Sequence, residues 1–356
     1  MSRMFTPALV AAFLALVSFA QAAPPTTAVW TDPKDSTLPV DFMIQGEYIG
    51  EVDGLGKVGC QVIALGDGAF QAVVYNGGLP GAGWDGKLRS LLDGKLDGSS
   101  ATFKAAEGTK KYLAASPAEF SATDTFPPEG QKSLSGSIAD GRFTIKLADG
   151  KASTLEKTAR KSTTLGAAAP QGAVVLFDGS NTEEWNGGRL DEKTRLLNTD
   201  GKDILTKRKF MNYSMHVEFF LPFRPAARGQ GRGNSGFYQV DLYEVQILDS
   251  FGLAGKNNEC GGVYTLAEPT VNMCLPPLAW QTYDVDFTSA KTDADGKITA
   301  KARLTARLNG VLIHDNIELS GPTGGSRKEP EGTPGPIKLQ GHGNPLQFRN
   351  VWVVER

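Results

Sequence analysis

Short hydrophobic runs broken by turn residues fill the first half of the chain. DFMIQGEYIGEV, GCQVIAL, AFQAVVYN, ATFKAA and GRFTIKLA are separated by Gly-Asp-Gly at 66–68 and Ala-Asp-Gly at 139–141 and 148–150. Runs of this length bounded by such turns read as strands. Their even spacing predicts a small all-β domain over residues 41–161, either a sandwich or a barrel. Only Lys87–Leu92 leaves room for a helical turn.

The second half alternates more strongly. In NYSMHVEFF, Tyr213, Met215, Val217 and Phe219 face one way, and Ser214, His216 and Glu218 the other. ARLTARLNGVLIHDNIEL is two alternating runs joined by Asn309-Gly310. That pair suits a two-residue type I′ hairpin, in which both positions take positive φ. With WQTYDVDF, LQFRNVWVV and the opening VVLFDGSNTEEW, these runs supply a two-sheet sandwich with one concave polar face over residues 173–356. Between the halves, TTLGAAAPQG is small, uncharged and aperiodic, so residues 162–172 read as a linker. The expected fold class is all-β, a large C-terminal β-sandwich preceded by a smaller all-β domain.

The first 22 residues read as an address. Arg3 is followed by the apolar run FTPALVAAFLALVSFA and by Ala20-Gln21-Ala22, the order of parts in a cleaved signal peptide. The apolar stretch is short for a membrane span, and no later segment is long enough to cross a bilayer. A periplasmic or secreted protein is expected. The 356 residues are 40% hydrophobic and 21% charged, with Gly 42 and Pro 20, which fits a globular, turn-rich chain. A formal charge of -2 provides no basic footprint for nucleic acid. A small-molecule or oligosaccharide partner is the expectation; oligomeric state is not legible.

Export changes how the three cysteines read. Cys260 and Cys274 lie in a Gly/Pro-rich stretch where an oxidising compartment lets them pair, and reduced, half-buried thiols are the alternative. Cys60 sits in an apparent strand as a small core residue. The loop NGGLPGAGWDG presents Trp84, either as a sugar-stacking ring or tucked beneath its own loop.

The candidate chemistry centres on RGNSGFYQVDLYEVQILDSFG, residues 232–252. In DLYEVQIL, period two sets Tyr243, Val245 and Ile247 against Glu244 and Gln246. Asp249 falls on the apolar face of a regular strand, and a one-residue bulge brings it round to the polar side. Glu-x-Gln-x-x-Asp is similar to the Glu-x-Asp-x-x-Glu strand of laminarinase-type glycoside hydrolases. With an amide in the middle and Asp at the end, it lacks the two glutamates of a standard retaining mechanism. A sheet whose outer face is merely polar is the other reading.

RGNSGFY before this strand, ECGGVYTLAEP after it and KLQGHGNPLQFRNVWVVER at the end of the chain, with LFDG, Trp185, WQTYDVDF and NGVLIHDNIELSGPTGG, resemble the 3-keto-disaccharide hydrolase family. The resemblance covers about residues 173–356 and implies a concanavalin-like sandwich. It also implies chemistry on glycosides oxidised at C3, whose C2 proton is acidic because the carbanion delocalises into the ketone. A base removes that proton, the glycosidic oxygen leaves C1, and water adds to the product. Such a site needs a base, donors for the enolate oxygen and an acid at the leaving group.

On this resemblance Glu244 is base or metal-binding carboxylate, His342 the acid, and Asp249 a further catalytic candidate. Gln246, Asn234, Tyr238 and Gln340 bind sugar, and Arg232 or Arg349 stabilises the enolate. A divalent cation held by Glu244 and His342 remains open. His342 in Gly-His-Gly-Asn-Pro is otherwise an exposed turn residue, His314 a cross-strand partner and His216 a sheet-face residue beside Glu218. The competing function is a non-catalytic, lectin-like carbohydrate-binding protein.

Overall fold

The computed structural model describes residues 28–356; the expected signal peptide, residues 1–22, lies outside the described residues. Among the described residues no helix is long and apolar enough to cross a membrane.

Residues 46–158 form a closed antiparallel barrel of eight strands. They are Gly46–Val52, Gly56–Gly66, Ala69–Asn76, Arg89–Asp97, Ser100–Ala105, Ser135–Ala139, Arg142–Lys146 and Ala152–Thr158, the last pairing back onto the first. Closure removes the exposed strand edges. The lumen is filled: Tyr48, Cys60, Phe70, Phe103, Phe143 and Leu155 belong to one buried core, with Phe103 and Phe143 centroids 5.0 Å apart. The five-residue helix Val40–Ile44 precedes the first strand, and the Tyr48 hydroxyl donates to the Ile44 carbonyl at 2.6 Å. Where a helical turn was expected at Lys87–Leu92, the chain runs into strand Arg89–Asp97, whose Leu91 and Leu92 face opposite cores.

The barrel wall is buried on both sides along strand Gly56–Gly66. Val62 and Ala64 point into the lumen, while Ile63 and Leu65 join the core of the C-terminal half with Val73, Tyr75 and Leu91. This explains why GCQVIAL reads as a continuous apolar run rather than a clean alternation.

Residues 174–355 build two antiparallel sheets. The larger has the order Arg189–Leu190, Leu197–Asn198, Gln347–Glu355, Tyr213–Phe220, Trp280–Thr288, Arg303–Leu308, Val311–Glu318, with Val174–Phe177 also pairing onto Gln347–Glu355. The smaller has the order Trp185–Asn186, Ile204–Thr206, Lys338–Leu339, Ser235–Gln239, Tyr243–Ile247. Tyr213, Met215, Val217 and Phe219 face inward to meet Phe237, Val245 and Ile247 from the smaller sheet, as their period of two predicts. Asn309 and Gly310 take φ of 55° and 82°, the left-handed pair that joins Arg303–Leu308 to Val311–Glu318.

The expected linker is not a free tether. Gly166 donates its N–H to Glu218 at 2.6 Å, and the Ala167 carbonyl accepts from Asn350 and Trp352 at 3.0 and 3.1 Å. Thr164 donates to Asp284 at 2.6 Å. Small side chains let this segment lie flat across the outer face of the larger sheet. There it covers His216 and Glu218, which alternation alone would have left in solvent. Trp84 is half-buried: its indole N–H donates to the Leu88 carbonyl at 3.2 Å and Tyr75 meets its ring edge-on at 5.1 Å.

Candidate active site

The hairpin Ser235–Gln239/Tyr243–Ile247 sets the site. Its turn holds Val240 and Asp241 at φ of 45° and 55°, an uncommon conformation for a β-branched residue. The register pairs Tyr238 with Glu244 and Gly236 with Gln246. Tyr243, Val245 and Ile247 face the sandwich core, so Glu244 and Gln246 project from the opposite face. They line a cavity of about 200 Å³ with Asn234 and Tyr238, closed by Gln340 and His342 from the chain's last segment and by Gln230 and Tyr264.

Glu244 is 3% exposed. Its Oε2 accepts the Tyr238 hydroxyl at 2.9 Å, and its backbone N–H is spent on Thr323 Oγ1 at 2.9 Å. Burial pushes its carboxyl up to about 7, against the Tyr238 hydrogen bond and the Lys338 charge, which pull it down. Burial also raises the Tyr238 hydroxyl, reinforced by the Glu244 charge, so the phenol stays a donor. Lys338 is itself buried, with its ammonium 3.8 Å from the centroid of the Tyr238 ring and 2.6 Å from Asp241. Gly236 carries no side chain because a Cβ there would lie 2.2 Å from Glu244 Oε1.

The amides form a second group. Asn234 donates to the Gln230 carbonyl and side-chain oxygens at 3.0 and 2.9 Å, and Gln246 donates to the same side-chain oxygen at 3.2 Å. Asn234 Oδ1 and Gln246 Oε1 are buried without a partner. Buried polar atoms are normally satisfied, and a ligand hydroxyl is the group these acceptors fit. Gln340 Nε2 reaches the Tyr238 hydroxyl at 3.4 Å. His342 is exposed at the rim, where its loop is pinned by Asn344: Asn344 Oδ1 accepts from Arg224 at 2.6 Å and from the Gly233 N–H at 3.2 Å.

Three residues expected here stand elsewhere. Asp249 lies past the end of the strand, which stops at Ile247, and no bulge carries it to the polar face. Instead Asp249 Oδ2 takes Arg232 Nε at 2.7 Å in a buried ion pair. Arg232 Nη1 donates to the Ala64 and Pro225 carbonyls at 3.0 and 3.1 Å, while Nη2 is buried without a partner. The side chain fastens the sandwich to the barrel and does not line the Glu244 cavity. Arg349 belongs to the larger sheet, where it pairs with Glu218 at 2.7 Å and stacks on Trp280 at 4.0 Å.

Cys260 and Cys274 are buried free thiols rather than a bridge. Cys260 Sγ lies 3.4 Å from the Tyr283 hydroxyl and Cys274 Sγ 3.5 Å from the Leu248 carbonyl. Cys60 is buried in the barrel, where desolvation raises its thiol. His314 is buried against the Gly261 carbonyl at 2.7 Å and burial lowers its imidazole, which keeps it neutral. His216 is packed between Asp284 and Glu218 beneath Trp352.

Among the described residues no group of three or more His, Cys, Asp or Glu side chains converges. Glu244 and His342 share the pocket with amide oxygens, a set that suits a hard cation's preference for oxygen. Gln230 and Tyr264 had escaped the sequence reading. Gln230 sits in the single 3-10 turn Gly229–Gly231 and Tyr264 in an irregular segment, and only the fold brings them to the hairpin.

Residues 172–354 match the family described as 3-keto-alpha-glucoside-1,2-lyase-like domain. Among solved structures, a candidate glycosyl hydrolase from Parabacteroides distasonis ATCC 8503 is 32% identical, with the match covering 52% of this chain and 85% of that one at a TM-score of 0.49. Two more candidate glycosyl hydrolases from that organism are 18% and 19% identical. Their matches cover 52% of this chain and 94% and 99% of theirs, with TM-scores of 0.39 and 0.37. No curated protein matches the chain.

Proposed function

Because the chain belongs to the 3-keto-alpha-glucoside-1,2-lyase-like family, we propose that it cleaves 3-keto-glycosides by proton abstraction at C2. One observation carries the reading. Glu244 is a buried carboxylate with a single side-chain hydrogen bond among the described residues, raised to about 7, in a pocket otherwise lined by amides, tyrosines, glycines and one histidine. A base poised near neutral pH is what removal of a weakly acidic carbon proton requires.

The C2 proton passes to Glu244, and the C2–H electrons enter the ring as the enolate of the 3-ketone. With Arg232 and Arg349 committed elsewhere, that oxygen falls to neutral donors on the pocket wall, the amide N–H groups of Gln246 and Gln340 and the Tyr264 hydroxyl. Collapse of the enolate forms the C1=C2 double bond and breaks the C1–O bond. His342 at the rim gives the departing oxygen its proton. Water adding across the double bond completes net hydrolysis; without it the reaction stops as a lyase. The unpartnered Asn234 and Gln246 oxygens hold sugar hydroxyls.

The barrel serves this site from behind. Phe251 and Leu253, just beyond the Glu244 strand, pack into the core shared with Ile63 and Leu65 of the barrel wall. Export to the periplasm or beyond is part of the same proposal and rests on the pattern of residues 1–22.

The test is incubation of the full chain with 3-keto-trehalose and a 3-keto-aryl-glucoside, with and without chelator, following release of the leaving group. Release that disappears in Glu244→Gln is expected. Saturable sugar affinity without release from any 3-keto substrate would replace the catalytic reading with a lectin-like one.

A further inference from the structure

The glycine-rich loop at residues 76–86 takes no part in the pocket just described, yet it walls a larger one. Between that loop and sandwich residues 253–255 and 268–272 lies a cleft of about 480 Å³, more than twice the volume of the Glu244 pocket. Clefts between packed units are common places for small ligands.

The loop's shape is set in advance. A Cβ on Gly78 would sit 2.3 Å from the Ala82 carbonyl oxygen, so the two backbones touch at the loop's neck. Arg160 donates to the Pro80 carbonyl at 2.7 Å while pairing with Glu47. Asp85 Oδ1 accepts the Lys87 and Leu88 N–H groups at 2.8 Å each. Trp84, fixed through Leu88, therefore presents a held ring to the cleft, and the guanidinium of Arg89 lies 4.9 Å from its centroid. A wall that is already ordered loses little entropy on binding.

The lining selects among ligand classes. Arg89 offers a fork of donors. Asp85 and Glu268 offer acceptors, and Glu268 also meets the Lys256 ammonium at 3.5 Å, so the charges around the cleft balance. Phosphates and other anions find no net positive charge there. The half-buried indole, with Arg89 over one face, stands beside donors and acceptors of both signs, a lining that suits a neutral ring that is apolar on its C–H face and hydroxylated at its rim.

We propose that this cleft is a second carbohydrate-binding site, which takes a neutral saccharide and holds it apart from the Glu244 pocket. It does not depend on the 3-keto reading, since nothing in it requires an oxidised ring.

The experiment is calorimetric titration of the full chain with maltotriose, cellotriose, laminaritriose and glucuronic acid. Saturable binding of a neutral trisaccharide is expected. Affinity should fall at least about tenfold in Trp84→Ala and in Arg89→Ala, and stay unchanged in Glu244→Gln, with thermal melting of each variant measured alongside. Arg89→Ala keeps the test open if Trp84→Ala does not fold. Three results would overturn the proposal: no binding of any neutral trisaccharide, binding lost only in Glu244→Gln, or preference for the uronate.

Discussion

Two glutamates, Glu218 and Glu244, are buried on different sheets of the same sandwich, and their environments are opposite. Glu218 lies under the 162–172 segment on the larger sheet. There the Gly166 N–H, Asn350, Arg349 and His216 all reach its oxygens at 2.6, 2.9, 2.7 and 3.5 Å. Burial alone would raise it, yet those partners hold it down at about 2. Glu244 is equally hidden from water but has one phenol for company, and burial wins. Burial by itself does not make a base; burial with few donors does. The larger sheet's outer face uses its carboxylate as a fastener, whereas the smaller sheet keeps its own available for a proton.

The difference is broken most violently at Glu218. Glu218→Ala strands Arg349, Asn350 and the Gly166 N–H, and stability at pH 7 should fall by roughly 3–5 kcal/mol, read by urea unfolding. The 162–172 segment should become susceptible to proteolysis. Unchanged stability would mean that this segment is not held as described.

At Glu244 the sign reverses. A carboxyl raised from 4.5 to about 7 in the folded state binds more protons there than in the unfolded chain. Stability therefore falls as pH climbs from 4.5 through 7 and levels off above. Glu244→Gln removes that penalty. It should stabilise the fold by up to about 3 kcal/mol at pH 8 and by little at pH 4, as measured by thermal melts at both. Glu218 has the opposite dependence: its stabilising contribution is full above 4.5 and lost as pH falls toward 2.

A smaller effect comes from Tyr238→Phe. Losing this side-chain donor to Glu244 should raise that carboxyl further, by about one pH unit. The shift should appear in the acid limb of the pH–rate profile with little change in melting temperature.

Much of this contrast was legible in the sequence, and its limits were specific. Period two separated Glu244 and Gln246 from the core-facing Tyr243, Val245 and Ile247, and Asn309-Gly310 announced its hairpin through backbone preference alone. The resemblance to a known family named Asn234, Tyr238, Gln340 and His342, which the fold does gather around Glu244. The same resemblance put Arg349 at the enolate, yet it belongs to the larger sheet on the other side of the sandwich. Periodicity says which face a residue occupies but not which sheet, so it could not correct this. Nor does it show where a strand stops. Asp249 sits beyond Ile247, where the chain turns to meet Arg232 and the barrel. The small, uncharged 162–172 segment looked like a tether because its contacts run through backbone groups and the two short hydroxyls of Ser162 and Thr164, which composition does not report. Cys260 and Cys274 invited pairing in an oxidising compartment, and the fold brings the two buried thiols together, unbridged, among hydroxyl and carbonyl oxygens.

The central claim is that Glu244 acts as the base because its pocket withholds hydrogen bonds. The most direct measurement is the pH dependence of kcat/KM on a 3-keto-aryl-glucoside for the wild-type chain and for Glu244→Gln. The account predicts an ascending limb centred near pH 7 and a loss of about 10²–10⁴-fold in the variant. A limb at ordinary carboxylate pH, or a variant that keeps wild-type turnover, would contradict it.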